Sequence, residues 1–555
     1  MAAPALIARN LEVPRSVARW RARATTIAVV GASIGLGFIV TYRGLATWDS
    51  QAHLERSQWI LHRLHLPSSR TAEGLNPLLK WYGPLWMLVL GLFTEVALRF
   101  LRDPLWVEHA LTFALFPLGL LALQRLLERA GVKRATAWLA VAMLIGIVRL
   151  GGHALLNVND FPFAMAYLLV TVYLWLALRD THLRAQAAQA YPRRVLVAVG
   201  VLAVVPYLVR TPVLVHLPVL CAFMLVYGRV ALPSASWRTR ASLVLIPLAS
   251  AFVFTWLVWP PLQGRGLGRW LELVHSFRGF SSFDLAGRVR AFGIFMPCAH
   301  LPAWYPFLWL PVILHPLAFV ACLAGWAAYL RPSSLAPHSF VLGRGGARVD
   351  VSLRRWLALF TAIAWLGVIA IRPVLYDEER HILFLYPPLV VLAALGLDNL
   401  GARVKYALAA LIVAASLVSY VGWGRYAYVY KSPLVGDRGA KRFMGDYWGA
   451  CVPLAIAALP GLVPAGTEVV IPEPLDAARL QDTRLRVGRL SHVEGYGPYR
   501  LSAKPSGARY VAIVYNRLGF NDRAIEAAAH GEAELLWRAE MPPGDTACVM
   551  VRYGR

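Results

Sequence analysis

Apolar runs of about fifteen to twenty-eight residues, separated by short arginine clusters, constrain this chain more than any other feature. A run of about 20 apolar residues is what a helix needs to cross a bilayer core of about 30 Å. Runs of this kind lie at 25–42, 107–124, 136–150, 161–178, 195–209, 212–228, 241–259, 303–330, 355–371, 382–398 and 405–423, about eleven in all. Of the 555 residues 58% are hydrophobic and 15% charged, against about 25% charged in a soluble domain. No water-facing surface hides that much apolar material, and a disordered or collagen-like chain is excluded by the same numbers. The expected fold is a polytopic α-helical membrane protein.

The basic residues set sidedness. The formal charge is +26, which in a soluble protein points to nucleic acid. Here the arginines sit in short loops between apolar runs, where they hold those loops in the cytoplasm, so no nucleic-acid partner is expected. Arg9, Arg15, Arg19, Arg21 and Arg23 precede the first run, which places the N-terminus inside. No small-residue cleavage site follows, so that run reads as a first span and not a removed signal. The polar, aromatic stretch 43–83 then lies outside. Counting 84–101 as a span would expose the basic loop Arg125–Arg134, so it is read as a juxtamembrane helix in the first external loop. An odd number of spans puts the C-terminus outside.

The chain divides at about residue 423. Residues 1–423 form the membrane part, and 424–555 carry 17 basic and 13 acidic residues, a soluble balance. The β-branched runs Val469–Ile471, Tyr510–Val514 and Cys548–Val551 read as strands, and 450–459 and 521–530 as helices. A small external α/β domain is expected. Cys451 and Cys548 both lie there; they either pair, if the compartment is oxidising, or stay as two buried thiols.

Carboxylates near a membrane are informative because they are costly there. Asp49 follows the end of the first run, and Asp160 opens a later one within Asn157-Val158-Asn159-Asp160-Phe161-Pro162-Phe163. Each also has an ordinary reading, a solvated loop carboxylate for Asp49 and a helix N-cap for Asp160. The cluster Tyr376-Asp377-Glu378-Glu379-Arg380-His381 and the cation Arg210 fall at the same external face. Arg380 and His381 suit a phosphate, or else an interfacial ion pair with Asp377 or Glu379; Arg210 is otherwise a snorkelling anchor. Carboxylates serve as general bases and cations stabilise a departing phosphate, while aromatic faces suit sugar rings.

At these residues the chain resembles the polyprenyl-phosphate-dependent glycosyltransferases of the GT-C superfamily, and more closely the bacterial relatives of protein O-mannosyltransferases and aminoarabinose transferases (glycosyltransferase family 39 and its neighbours). The Asn157–Phe163 sequence is the most specific piece, with Asp49 at the family's acidic first loop. Tyr376 to Pro388, Leu301 to Pro306, and Asp446-Tyr447-Trp448-Gly449 add to it. Ser50 stands where many members carry a second acid, and His53 or Glu55 would compensate.

The resemblance implies a GT-C-like bundle in a bacterial inner membrane with a periplasmic tail. It also implies inverting transfer of a sugar from a polyprenyl-phosphate donor to a hydroxyl of a glycan, lipid or protein acceptor. Under it Asp49 deprotonates or orients the acceptor hydroxyl, Asp160 shapes the acceptor side and holds Lys80 or a loop backbone in place, and His53, Glu55, Lys80, Arg210, Tyr376, Arg380 and His381 bind substrate. Some relatives use a divalent metal; no ligand set is legible here and none is assigned. The rival readings are a transporter or flippase for lipid-linked sugars, which would favour internal repeats and midplane charges, and a membrane scaffold using its tail as a binding module.

Overall fold

The computed structural model describes residues 50–66, 83–98, 104–188, 193–210, 216–230, 236–263, 268–272, 288–330, 339–342, 349–375, 377–471, 500–502, 505–516, 520–542 and 544–554. Among them, five helices are long and apolar enough to cross a membrane: Val107–Arg129, Asp160–Asp180, Trp237–Val258, Leu353–Ile371 and Ala402–Val429. The first apolar run, 25–42, lies outside the described residues, as do Asp49, Lys80 and Tyr376. The helix of the juxtamembrane reading, Pro84–Leu98, has 15 residues and is about 22 Å long, short of the hydrocarbon core. It packs on the preceding helix α1 (Ser50–Arg63) and on the helix Pro104–Arg129 that follows.

Three expected spans are not single helices. The run 136–150 divides into α2 (Arg134–Ile145) and α3 (Val148–Leu156). The run 303–330 divides into α4 (Tyr305–Ile313) and α5 (Pro316–Tyr329). The two breaks meet: Ile147 and Leu314 form an antiparallel bridge, and the His315 amide donates to the Gly146 carbonyl at 2.7 Å. The causes are local. Pro316 disfavours helical backbone at His315, whose ring caps α5 by accepting from the Leu317 amide at 3.3 Å. Gly146 lets the chains touch, since a Cβ there would lie 2.4 Å from that of Ala318. The run 382–398 is likewise a 3₁₀ turn, Arg380–Leu385, before the helix α6 (Tyr386–Gly396).

The tail carries a five-stranded sheet in the order β6-β5-β7-β9-β8. Its strands are β5 (Glu468–Val470), β6 (Arg500–Ser502), β7 (Tyr510–Tyr515), β8 (Ala533–Met541) and β9 (Asp545–Tyr553); two antiparallel pairs, 288–297 and 339–352, are β1–β2 and β3–β4. β5 runs parallel to β6 and β7, and β9 antiparallel to β7 and β8. The helix Phe520–Ala529 covers one face. On the other side, Met550, Cys548, Cys451 and Trp448 belong to the same continuous apolar core as the bundle helices.

Candidate functional site

Asp160 sits at the junction of α3 with the next helix, α7 (Asp160–Ala188). Asn157, the first residue of that junction's turn, organises it. Its Oδ1 accepts from the amides of Asn159 (3.1 Å) and Asp160 (2.8 Å), an Asx turn that satisfies two donors at a helix start. Its Nδ2 donates to Asp160 Oδ2 at 2.8 Å and lies 3.2 Å from His153 Nδ1. The carboxylate also favours the positive end of α7 and forms an ion pair with Arg210. Both groups are buried. Asn159 Nδ2 lies 2.6 Å from His53 Nε2, which ties α1 to this turn. Glu55, on the same helix, is half-buried.

A second set of charges adjoins the first through His153. Arg149 lies inside α3 and is fully buried. Its Nη1 donates to Glu378 Oε2 at 2.6 Å and to Glu379 Oε2, and its Nε to the Tyr430 carbonyl at 2.6 Å. Its guanidinium stands 4.9 Å from the Trp309 ring. One cation thus holds two adjacent carboxylates. The chain reaches that arrangement through two left-handed residues, Asp377 (φ 54°) and Glu378 (φ 65°), a conformation that costs on the order of 1–3 kcal/mol for a non-glycine residue. Glu378 also accepts from the Met444 amide at 2.7 Å. His153 Nε2 stands 3.6 Å from Glu379 Oε1, so a polar chain runs from Glu378 through Arg149, Glu379, His153 and Asn157 to Asp160.

Arg380 pairs with Asp377 at 3.1 Å and stands 5.5 Å from the Trp448 ring. His381 is electrostatically close to both Arg210 and Arg380. Trp448 stacks on Tyr428 at 5.0 Å and meets the edge of His153 at 5.3 Å. Gly152 permits this closure, because a Cβ there would fall 2.1 Å from the Tyr428 amide. Burial pushes the Glu378 carboxyl above the ordinary carboxylate range, with Arg149 opposing and Glu379 adding to the rise. Burial pushes Lys431 down, against the pull of Glu378 and Asp545.

The structure therefore brings together His53, Asp160, Arg210, Arg380 and His381 from four segments of the sequence. Of the two pairings open for Arg380, the one with Asp377 is formed, and Glu379 pairs with Arg149. Arg149 and His153 were not singled out in the sequence. The available signal was an arginine at the end of an otherwise uncharged apolar run, a rare and costly placement.

Cys451 and Cys548 are bonded, with Cα atoms 5.9 Å apart. With Asp446 they form one group of three possible metal ligands among the described residues. The chemistry does not fit an ion. The sulfurs hold each other, and the carboxylate is filled by the amides of Ala450 and Cys451, both at 2.8 Å, and by the Tyr428 hydroxyl.

Five long apolar helices and a buried charged centre define a helical membrane protein. Its sequence matches no protein-family model and no curated protein. Among solved structures it is similar to ArnT from Cupriavidus metallidurans. For the crystal structure bound to undecaprenyl phosphate, identity is 14%, coverage 95% of this chain and 98% of that chain, and TM-score 0.45. For the apo state the values are 14%, 96%, 98% and 0.46.

Proposed function

We propose that the protein is a membrane glycosyltransferase that moves a sugar from a polyprenyl-phosphate donor to an acceptor hydroxyl at the periplasmic face, with inversion. The observation that carries this reading is convergence: His53, the Asn157–Asp160 turn, Arg210 and the 377–381 segment meet at one place. In the reaction the acceptor oxygen attacks the anomeric carbon, its proton passes to the Asp49 carboxylate, and the carbon–oxygen bond to phosphate breaks with the electron pair leaving on phosphate. Arg210 and Arg380 supply positive charge for that leaving group, and His381 offers it an imidazole N–H. Asp160, held by Asn157 and Arg210, serves as a positioning carboxylate on the acceptor side; Lys80, His53, Glu55 and Tyr376 complete the substrate contacts.

The reading includes an eleven-span membrane domain over 1–423 in a bacterial inner membrane, with a cytoplasmic N-terminus and a periplasmic α/β domain over 424–555. The Cys451–Cys548 bond supports that sidedness, since such bonds persist in oxidising compartments. A transporter for lipid-linked sugars is the second reading. It is favoured by the two broken helices that meet at their breaks, since transporters use interrupted helices to line substrate sites.

Purified protein in detergent, incubated with a panel of polyprenyl-phosphate sugars and cell-envelope acceptors, separates the two. A transferase releases polyprenyl phosphate and forms a glycosylated product, seen by mass spectrometry. A protein that binds these lipids and leaves every sugar attached is not one.

A further inference from the structure

The charged centre has a wall that does not come from the bundle. Residues 444–448 run along it. The Met444 amide donates to Glu378, Tyr447 is fully buried and electrostatically close to Glu379, Arg149 and Arg380, and Trp448 lies against Arg380 and His153. Two of these side chains are unfilled. The Tyr447 hydroxyl and the Trp448 Nε1–H are buried donors with no acceptor among the described residues, although buried polar groups are nearly always hydrogen-bonded. Arg149 Nη2 beside them is in the same condition. The segment's own backbone is firmly tied. Asp446 binds the Tyr428 hydroxyl and two amides within the segment, and the disulfide anchors Cys451 to β9. A chain held this tightly, with side-chain donors left over, is built to offer those donors to something else.

We propose that Tyr447 and Trp448 are donor-substrate residues whose hydroxyl and indole N–H take phosphate oxygens of the lipid-linked donor, and that the Cys451–Cys548 bond and Asp446 are the positioning groups that present them. This rests on the transferase reading and assigns to the tail a part in the site itself. Phosphate is the fitting class because the Tyr447 hydroxyl, the Trp448 N–H and Arg149 Nη2 all donate and Arg380 lies under the Trp448 ring, while Glu379 Oε1, also without a hydrogen-bond partner among the described residues, can accept from a protonated phosphate or a sugar hydroxyl.

The test measures binding of decaprenyl phosphate, and of uncharged decaprenol, to the full-length protein in detergent, with turnover and melting temperature followed in parallel. Tyr447→Phe keeps the ring and removes the donor; Trp448→Phe removes the donor and keeps an aromatic, though smaller, ring against Tyr428. Each is expected to weaken decaprenyl phosphate binding by about 3–10-fold, the size of one hydrogen bond. Decaprenol binding and melting temperature stay as in the unmodified protein. The double variant Cys451→Ser/Cys548→Ser is expected to show the same selective loss.

Equal loss for phosphate and alcohol, or loss that tracks a lower melting temperature in the Phe variants, overturns the proposal. So does unchanged phosphate binding by both Phe variants in a preparation whose unmodified enzyme turns over; that outcome leaves the transferase reading standing. An unmodified protein that neither binds decaprenyl phosphate nor transfers sugar ends the transferase reading and this inference together.

Discussion

At the start of α2, Asp398 and Lys405 are buried together. Lys405 Nζ donates to Thr136 Oγ1 at 2.7 Å and to the Asp398 carbonyl at 2.9 Å, Thr136 donates to Asp398 Oδ1 at 2.6 Å, and Lys133 stands 3.4 Å from Asp398 Oδ2. Just beyond the far end of α2, Arg149 is buried with Glu378 and Glu379. The first cluster is closed: few groups, ordinary backbone, each charge answered by a neighbour that also joins two helices. The second is over-provided, with adjacent carboxylates on a left-handed turn and donors to spare. Both satisfy the rule that buried charge must be paired. The difference is that a joint needs only balance, whereas a binding site holds groups whose partners arrive from outside. Strain together with surplus polarity is what the proposed function asks of the second cluster, and the first has no left-handed residue.

The largest expected effect is on chemistry, with the proposed base set against the Asp398–Lys405 cluster. Asp49→Asn should lower turnover about 10²–10⁴-fold, the range for removing a general base, with melting temperature unchanged. Lys405→Met at the closed cluster should leave turnover per folded molecule as it was. Steady-state assays on both proteins decide it; near-normal turnover by folded Asp49→Asn removes Asp49 as the base.

The next effect is on stability. Arg149→Met strands two buried carboxylates and should cost about 3–5 kcal/mol, measured by denaturation in detergent. Lys405→Met leaves Asp398 with Lys133 and Thr136, and should cost less, about 1–3 kcal/mol. Adding Glu378→Gln and Glu379→Gln to Arg149→Met should recover much of the loss, because the uncompensated charge is gone. Equal costs at the two ends would erase the distinction between them.

How much of this was legible in the sequence follows from what each signal measures. The Asp160 turn was, because an Asn three residues before an Asp and a first-turn Pro is a local pattern with local consequences. The membrane character was, because it is summed over long runs. The meeting of the two helix breaks was not: Gly146 and His315-Pro316 are local punctuation, but the pairing of the breaks through Ile147 and Leu314 is a property of two segments more than 150 residues apart. For the same reason Arg149 gave no hint of its partners, which lie 229 and 230 residues away. The cluster 377–381 was read as one group, yet its members divide between two cations because the backbone turns twice within it.

The smallest effect tests whether the over-provided cluster is charged at a thermodynamic cost. Burial holds the Glu378 proton more tightly in the folded protein than in the unfolded chain. The folded state therefore binds more protons than the unfolded one between the ordinary carboxylate pKa, about 4.3, and the raised value. Stability contributed at this position is present below that window and is lost as pH rises through it. Glu378→Gln, which cannot ionise, should match the unmodified protein at the acid end and gain on it, by on the order of 1 kcal/mol, as pH climbs past the raised value. Lys431 works in the opposite sense. Its depressed pKa means the unfolded chain holds the proton longer, so its contribution improves as pH rises from the depressed value towards about 10.4. Lys431→Met should therefore flatten the alkaline side of the same curve. A stability difference between Glu378→Gln and the unmodified protein that stays constant from pH 4 to pH 9 would show that Arg149 fully compensates Glu378, and the two ends of α2 would then be equally closed.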